Sequence, residues 1–300
     1  MQELFGGIEA GGTKFVCMVG TGPERVVQEV RFPTSDPEHT LQQVLAFFAP
    51  FVQRKELAAI GFGTFGPVDL NSDSPTYGMI TSTPKKEWLN VDVRGTIQRV
   101  LDLPVALETD VNAAAWGEHV WVPENRILDP FLYVTVGTGI GVGILANGKP
   151  LHGMLHAEAG HFALPHDRGK DPFPGMCPFH GDCWEGLASG PAMRARWGQN
   201  AEDLPASHPG WDLEVDYLAL GLADLIYAFS PQRIVLGGGV AGHAGLHQAV
   251  GRKVQGILNG YIHAPLILDS IEQLIVPPGL GNRSGVLGAI ALAMDLVGAF

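Results

Sequence analysis

Positive charge is in short supply in this chain. Over 300 residues, 19 lysines and arginines face 31 aspartates and glutamates, for a formal net charge of −12. Such a surface repels phosphate backbones, so nucleic acid is excluded as an expected partner. No charge run is long enough to form an interaction tail. Cysteine is sparse as well. Three residues, with Cys17 inside an apolar stretch, do not make a disulfide framework. The opening "MQELFGGIEAGG" lacks a basic start followed by a long apolar run, so no secretory signal is expected and a cytoplasmic location is the default. The apolar tail "GVLGAIALAMDLVGAF" is interrupted by Asp295 and is short for a membrane span. A buried terminal helix is expected there, and no membrane partner.

Glycine and apolar residues are plentiful. Hydrophobic residues make up 46% of the chain, enough for a large core and about two domains. The 40 glycines gather in clusters: "GGIEAGG", "GFGTFG", "GTGIGVG", "LGGGVAG" and "GLGNRSG". Each cluster abuts a β-like run, which marks it as a loop where backbone comes close to something else. Residues 4–10, 13–20 and 25–32 read as strands, and "TKFVCMVG" is nearly all apolar, as a strand buried on both faces should be. Residues 37–54 read as a helix with Leu41, Val44, Leu45 and Phe48 on one face. A strand at 57–65, a helix at 92–101 and the strand "PVALETD" follow, and Asn112 is expected to cap the next helix.

The second half repeats this plan. "FLYVTVG", "IGVGILA" and "KPLHG" read as three strands. They are followed by a helix over 213–229, the strand 233–239, a helix from about 241 to 258, a strand at 272–279 and a closing helix over 283–297. The repetition predicts two α/β domains facing a cleft. Expected bounds are 1–112 for a smaller first domain, with the helix at about 284–300 packing back on it, and 113–283 for a larger second one.

The loops suggest chemistry. "GGIEAGGTK" is no Walker loop, because Thr13 precedes Lys14 and a strand follows. It is no dinucleotide fingerprint either, since the glycine spacing fails and no helix opens there. Gly11 and Gly12 form either a plain hairpin turn or a backbone cradle for phosphate, with Thr13 adding a hydroxyl and Lys14 a charge. "VGTGIGVG" offers the same device through Thr138 and Gly139. A phosphate clamped by both turns explains their recurrence. In "VLGGGV", Gly238 and Gly239 would let a ribose or flat ring lie against backbone, with a helix amino end behind them. In "ETDVNAAA", Asp110 ends a strand, where a carboxylate can take the proton of a phosphoryl acceptor; capping the helix is the alternative role. "CPFHGDC" places Cys177, His180 and Cys183 on one short loop. That is three of the four nitrogen and sulfur ligands a zinc ion takes. A redox pair is not expected, because the thiols lie six residues apart.

Together these segments resemble the ROK family of sugar kinases, whose fold is ribonuclease H-like (actin-like ATPase). "GGIEAGGTKF" resembles its first phosphate motif, with Glu9 where many members have aspartate. "STPKKEW" resembles its Thr-Pro-x-x-x-Trp sugar-side loop, and "ETDVNAAAWGE" its catalytic segment. "VGTGIGVGILANGKPLHGMLHAEAGH" resembles the family signature, and "CPFHGDCWEGLASGPA" its metal loop.

The resemblance implies that Asp110 is the general base and that Asp110, Glu158, His161 and Glu185 hold the sugar. It also implies that His161 completes a structural zinc site with Cys177, His180 and Cys183, with His152, His156 and His166 as nearby competitors for the fourth position. ATP, Mg2+ and Zn2+ are the implied cofactors, and a homodimer the implied assembly. Thr109 in place of the asparagine usual in glucokinase-like members, and the Cys-x-x-His-x-x-Cys loop, resemble the bacterial fructokinase branch. ATP-dependent phosphorylation of D-fructose at its 6-hydroxyl is therefore expected, with glucose, mannose and N-acetylmannosamine as alternatives. Family repressors carry a helix-turn-helix ahead of the first glycine motif, for which this chain has no room. A non-catalytic sugar sensor would be expected to lack Asp110 or the first loop.

Overall fold

The computed structural model describes residues 3–300. The chain forms two compact units. The first takes in the described chain up to Ile127, Lys149–Ala157 and Gly279–Phe300; the second takes in Leu128–Gly148 and Glu158–Pro278.

In the first unit, β1 (Leu4–Ala10), β2 (Lys14–Gly22), β3 (Arg25–Pro33), β4 (Leu57–Thr64) and β5 (Val105–Thr109) make a sheet of order β3-β2-β1-β4-β5. β1 runs antiparallel to β2 and parallel to β4, and β4 runs parallel to β5. β2 shows why the apolar pattern is continuous. Phe15, Cys17 and Val19 enter one core cluster, while Val16 and Met18 enter another on the opposite face. The first cluster is closed by α1 (Pro37–Gln53) and α2 (Val93–Leu101), through Val44, Phe48 and Ile97. Both helices start at an aspartate. The Asp36 carboxylate accepts the N–H of His39, and that of Asp92 the N–H of Gly95.

The opposite face is covered by α3 (Asp110–Trp121) and α10 (Ser284–Leu296). A small strand, β8 (Lys149–Pro150), contacts α3. α10 is buried along most of its length and packs on β1, β4 and α3. Glycine makes that approach possible. A Cβ on Gly288 would stand 1.7 Å from the Ala113 carbonyl, and one on Gly61 would stand 1.8 Å from the Ala289 carbonyl. Glu118 of α3 fastens the entry to α10. Its carboxylate accepts the N–H groups of Gly279 (2.9 Å) and Leu280 (3.0 Å) and the hydroxyl of Ser284 (2.7 Å). Gly288→Ala should therefore cost about 3 kcal/mol, since overpacking forces backbone to shift. Urea unfolding checks this, and an unchanged midpoint would contradict it.

In the second unit, β6 (Phe131–Val136) pairs antiparallel with β7 (Ile140–Ala146) and parallel with β9 (Arg233–Gly237). β9 pairs parallel with β10 (Ile275–Val276). This repeats the relation of β1 to β2, β4 and β5. The helices here are α4 (Trp184–Ala188), α5 (Gly190–Trp197), α6 (Gly210–Phe229), α7 (Leu246–Leu258), α8 (Pro265–Leu268) and α9 (Ile271–Leu274). α6 buries Leu218, Leu222, Leu225 and Ile226 and packs on α7. A Cβ on Gly221 would enter the Trp184 indole, so α6 needs a bare backbone where α4 crosses it. Among the described residues, no helix is long and apolar enough to cross a membrane.

Several boundaries differ from the sequence expectation. The first unit runs through Ile127 rather than ending at residue 112, because α3 packs on α10 and the sheet of that unit. It also reclaims Lys149–Ala157, which the expected bounds gave to the second domain. The strand expected over 272–279 is only Ile275–Val276. The turn α9 precedes it, and Pro277 and Pro278, which lack N–H donors, follow it. The helix expected from 241 begins at Leu246, after a 3-10 turn at Val240–Gly242 and Gly245 in the left-handed region (φ +81°).

Candidate active site and metal centre

In the first unit, the turn joining β1 to β2 is closed by the Gly11 N–H donating to the Lys14 carbonyl (2.9 Å). Thr34 braces it from β3's end, its hydroxyl donating to the Gly11 carbonyl (2.7 Å). Neither Gly11 nor Gly12 has a positive φ, so glycine is not required there by left-handed geometry. At Gly12 an added Cβ would meet nothing nearer than 3.4 Å, so that spot is open to a close approach. Thr13 and Lys14 are exposed beside it.

Asp110 stands at the junction of β5 and α3. The cap of α3 is Thr109, whose hydroxyl accepts the Asn112 N–H (3.1 Å). Asn112, the expected cap, is instead buried inside the helix, because Thr109 already holds extended cap geometry. Asp110 is then the first helical residue, and its Oδ1 accepts the Val111 N–H (2.9 Å). Burial pushes its carboxyl up to about 6, against the lowering effect of that hydrogen bond.

Gly63 of β4 gives it room. A Cβ there would lie 3.3 Å from the Asp110 Cα and 2.8 Å from the Ala113 Cβ. On either side of Gly63, in register, sit Glu9 of β1 and Glu108 of β5. Burial, then Asp110, pushes the Glu9 carboxyl up to about 7, and its Oε2 is buried without a hydrogen-bond partner. Glu108 is almost fully buried and meets the His152 Nε2 in a close contact. Trp88 of the "STPKKEW" loop is buried against Phe15 and Phe65, with its indole N–H on the Ser35 carbonyl (3.0 Å). It anchors that loop from inside the core.

In the second unit, the β6–β7 turn is closed by the Gly137 N–H donating to the Gly139 carbonyl (2.9 Å). Thr138 is exposed at its tip. Glu185 of α4 reaches under this turn, and its Oε2 accepts the Ile140 N–H (3.0 Å). A Cβ on Gly139 would stand 2.4 Å from that same oxygen, so glycine is needed for the contact. Gly238 is left-handed (φ +93°), and a Cβ there would stand 2.3 Å from the Val136 carbonyl, whereas nothing lies within 4 Å of a Cβ on Gly239. The segment leads into the 3-10 turn, so the helix amino end expected behind it is absent from that position.

His161, Cys177, His180 and Cys183 converge, with one ligand atom from each all within 4.8 Å of one another. The Cys177 Sγ lies 3.7 Å from His161 Nδ1 and 3.6 Å from His180 Nδ1, and the Cys183 Sγ lies 3.5 Å from His161 Nδ1. Ligands at zinc distances in a tetrahedron stand about 3.5 Å apart, so the donor set and spacing fit zinc. The loop is shaped for it. Cys177 and Gly181 exchange both backbone hydrogen bonds, and Gly181 is left-handed (φ +67°). The Nε2 of His161 faces Glu158, with 4.0 Å to its Oε2. His152, His156 and His166 lie elsewhere, on Glu108, the Val68 N–H and Asp182 respectively.

The chain matches the ROK family over residues 5–296. It belongs to that family. Among similar proteins, the fructokinase of Streptococcus mutans is 41% identical over 298 residues, covering 99% of each chain. The fructokinase of Zymomonas mobilis is 40% identical over 298 residues, covering 98% of this chain and 97% of that one. The crystal structure of a ROK hexokinase from Thermus thermophilus superposes with a TM-score of 0.76 at 29% identity, covering 99% of this chain and all of that one. The fold is accordingly the actin-like ATPase fold of the ROK sugar kinases. Sequence reading passed over two features of this ROK chain, the unpaired oxygen of Glu9 and the Glu108–His152 contact. Glu108 was detectable in principle, because it is a carboxylate within the largely apolar strand β5, two residues before Asp110.

Proposed function

We propose that this chain is an ATP-dependent fructokinase, transferring the γ-phosphoryl group of Mg-ATP to the 6-hydroxyl of D-fructose. The observation that carries this reading is identity of about two residues in five to fructokinases over essentially the full chain. The geometry supports it with a carboxylate, Asp110, placed at a strand end with an affinity for protons near that of a neutral-pH base.

In the proposed reaction, Asp110 accepts the proton of the sugar hydroxyl as it attacks the γ-phosphorus. The ADP oxygen leaves with the bond's electron pair. The backbone of Gly11 and Gly12 with Thr13, and Thr138 with Gly139, receive the phosphates, and Lys14 adds positive charge. Gly238 and Gly239 give the adenosine end a bare surface. Glu158, His161 and the second oxygen of Glu185 recognise sugar hydroxyls. His161, Cys177, His180 and Cys183 would hold a zinc ion that supplies structure alone, since four protein ligands leave no open coordination position.

ADP release tests the reading. ADP should form only when sugar is added, with kcat/KM for fructose above that for glucose, mannose and N-acetylmannosamine. ADP formation indifferent to sugar would overturn it. The pH profile carries a second expectation. Asp110 must be ionised to accept a proton, and burial raises its pKa to about 6. kcat/KM for fructose should therefore fall about tenfold per unit below about pH 6. A profile flat down to the ordinary aspartate range would contradict the assignment.

A further inference from the structure

We propose that the Glu108–His152 ion pair is a clasp that positions Asp110 on one side and the segment leading into Glu158 on the other, and so sets sugar affinity. The inference rests on the fructokinase reading above. Glu108 is 3% exposed, and each of its oxygens is engaged. Oε1 takes the His152 ring, and Oε2 accepts the N–H of Thr109 (3.3 Å). Thr109 is the cap of α3, and Asp110 is the first residue of that helix. One buried carboxylate therefore fixes the corner from which the proposed base projects.

The other end of the clasp has its own path. His152 belongs to Lys149–Ala157, the stretch that joins the first unit between two parts of the second. A second histidine secures the same stretch, the His156 Nε2 accepting the Val68 N–H (3.1 Å). Glu158 follows Ala157 directly. Two imidazoles thus dock the five residues that precede a proposed sugar ligand.

The two rings work in opposite charge states. His156 is buried and acts as an acceptor, and burial lowers its pKa, so it is neutral. His152 is partly exposed, and its hydrogen bond to Glu108 raises its pKa, so the imidazolium is favoured. The groups facing the pair are Glu9 on β1 across Gly63, Asp110 at the start of α3, and His156 on the same stretch. Loss of the His152 proton leaves the buried Glu108 without a cationic partner, which is unfavourable. The clasp is therefore closed below the raised His152 pKa and opens as pH climbs through it.

The test is steady-state kinetics of the full chain. His152→Gln should raise the fructose KM by at least roughly tenfold and lower kcat as Asp110 loses its fixed corner, with the ATP KM changed less than about threefold. In the wild type, the fructose KM should rise as pH climbs above the ordinary histidine range, whereas in His152→Gln it should be high throughout. A fructose KM unchanged by His152→Gln, a loss confined to melting temperature, or a variant KM that climbs with pH like the wild type's would each overturn the clasp. If the variant fails to fold, the wild-type curve decides alone, and a flat KM overturns the inference. A working fructokinase with a flat KM sinks only the clasp; absence of sugar-dependent ADP formation sinks the functional reading itself.

Discussion

Asp110→Asn should abolish turnover while sparing sugar binding and leaving the fold at least as stable. The amide keeps the shape of the carboxylate but cannot accept the hydroxyl proton. General-base catalysis contributes about 10²–10⁴-fold, so kcat should fall by about that range. Fructose affinity by calorimetry should change little, because the amide oxygen still accepts a hydrogen bond. The stability expectation follows from the direction of the pKa. Burial raises the folded-state value to about 6, above the ordinary aspartate value of 3.8. The stabilising effect of the bound proton is complete below the unfolded value and is lost as pH rises through about 6. At pH 7 to 8 the ionised carboxylate opposes folding, and asparagine removes that opposition. Near-normal kcat in the variant would refute the assignment of the base. A marked drop in melting temperature would refute the account of its burial.

Removal of the proposed zinc ion should produce the second large effect, a joint loss of stability and sugar affinity. The four ligands come from the 3-10 turn bearing His161 and from the loop Cys177–Cys183, segments with few backbone hydrogen bonds of their own. Apparent zinc binding contributes about 10–16 kcal/mol in small zinc-finger peptides. Even a fraction of that would lower the melting temperature of a chain this size by about 10 °C. Sugar affinity follows because His161 faces Glu158 through its second nitrogen, and Glu185 begins two residues after Cys183. A carboxylate recognises a hydroxyl well only when it is held in place. Chelation or Cys177→Ser should raise the fructose KM more than the ATP KM, and metal analysis should find one zinc per untreated chain. Full activity after complete metal removal would rule out this role.

Much of this architecture was legible in the residues. The double-faced burial of β2 follows from an unbroken apolar run, and the repeated strand-turn-strand opening of each half follows from the glycine clusters. Three of the four converging side chains, Cys177, His180 and Cys183, were readable as a cluster because Cys-x-x-His-x-x-Cys fits one short loop. What escaped were features set by contacts between distant segments. α3 owes its place against α10 to Gly117 and Gly288, whose lack of side chains matters only once the two helices meet, which no local pattern shows. Thr109 and Asn112 are both good caps by type, and only backbone geometry separates them. The Glu108–His152 pair joins residues 44 positions apart, a distance that no local pattern spans. Glu185 read as a sugar ligand alone, but one of its oxygens also supports the β6–β7 turn.

The most direct measurement couples the products of the reaction. Purified protein with ATP and fructose is assayed for ADP and, in parallel, for hexose 6-phosphate through phosphoglucose isomerase and glucose-6-phosphate dehydrogenase. The expected result is one 6-phosphate per ADP, with a signal that disappears when the isomerase is omitted. ADP without 6-phosphate, or ADP formed equally in the absence of fructose, would contradict transfer to the 6-hydroxyl and with it the role given to Asp110.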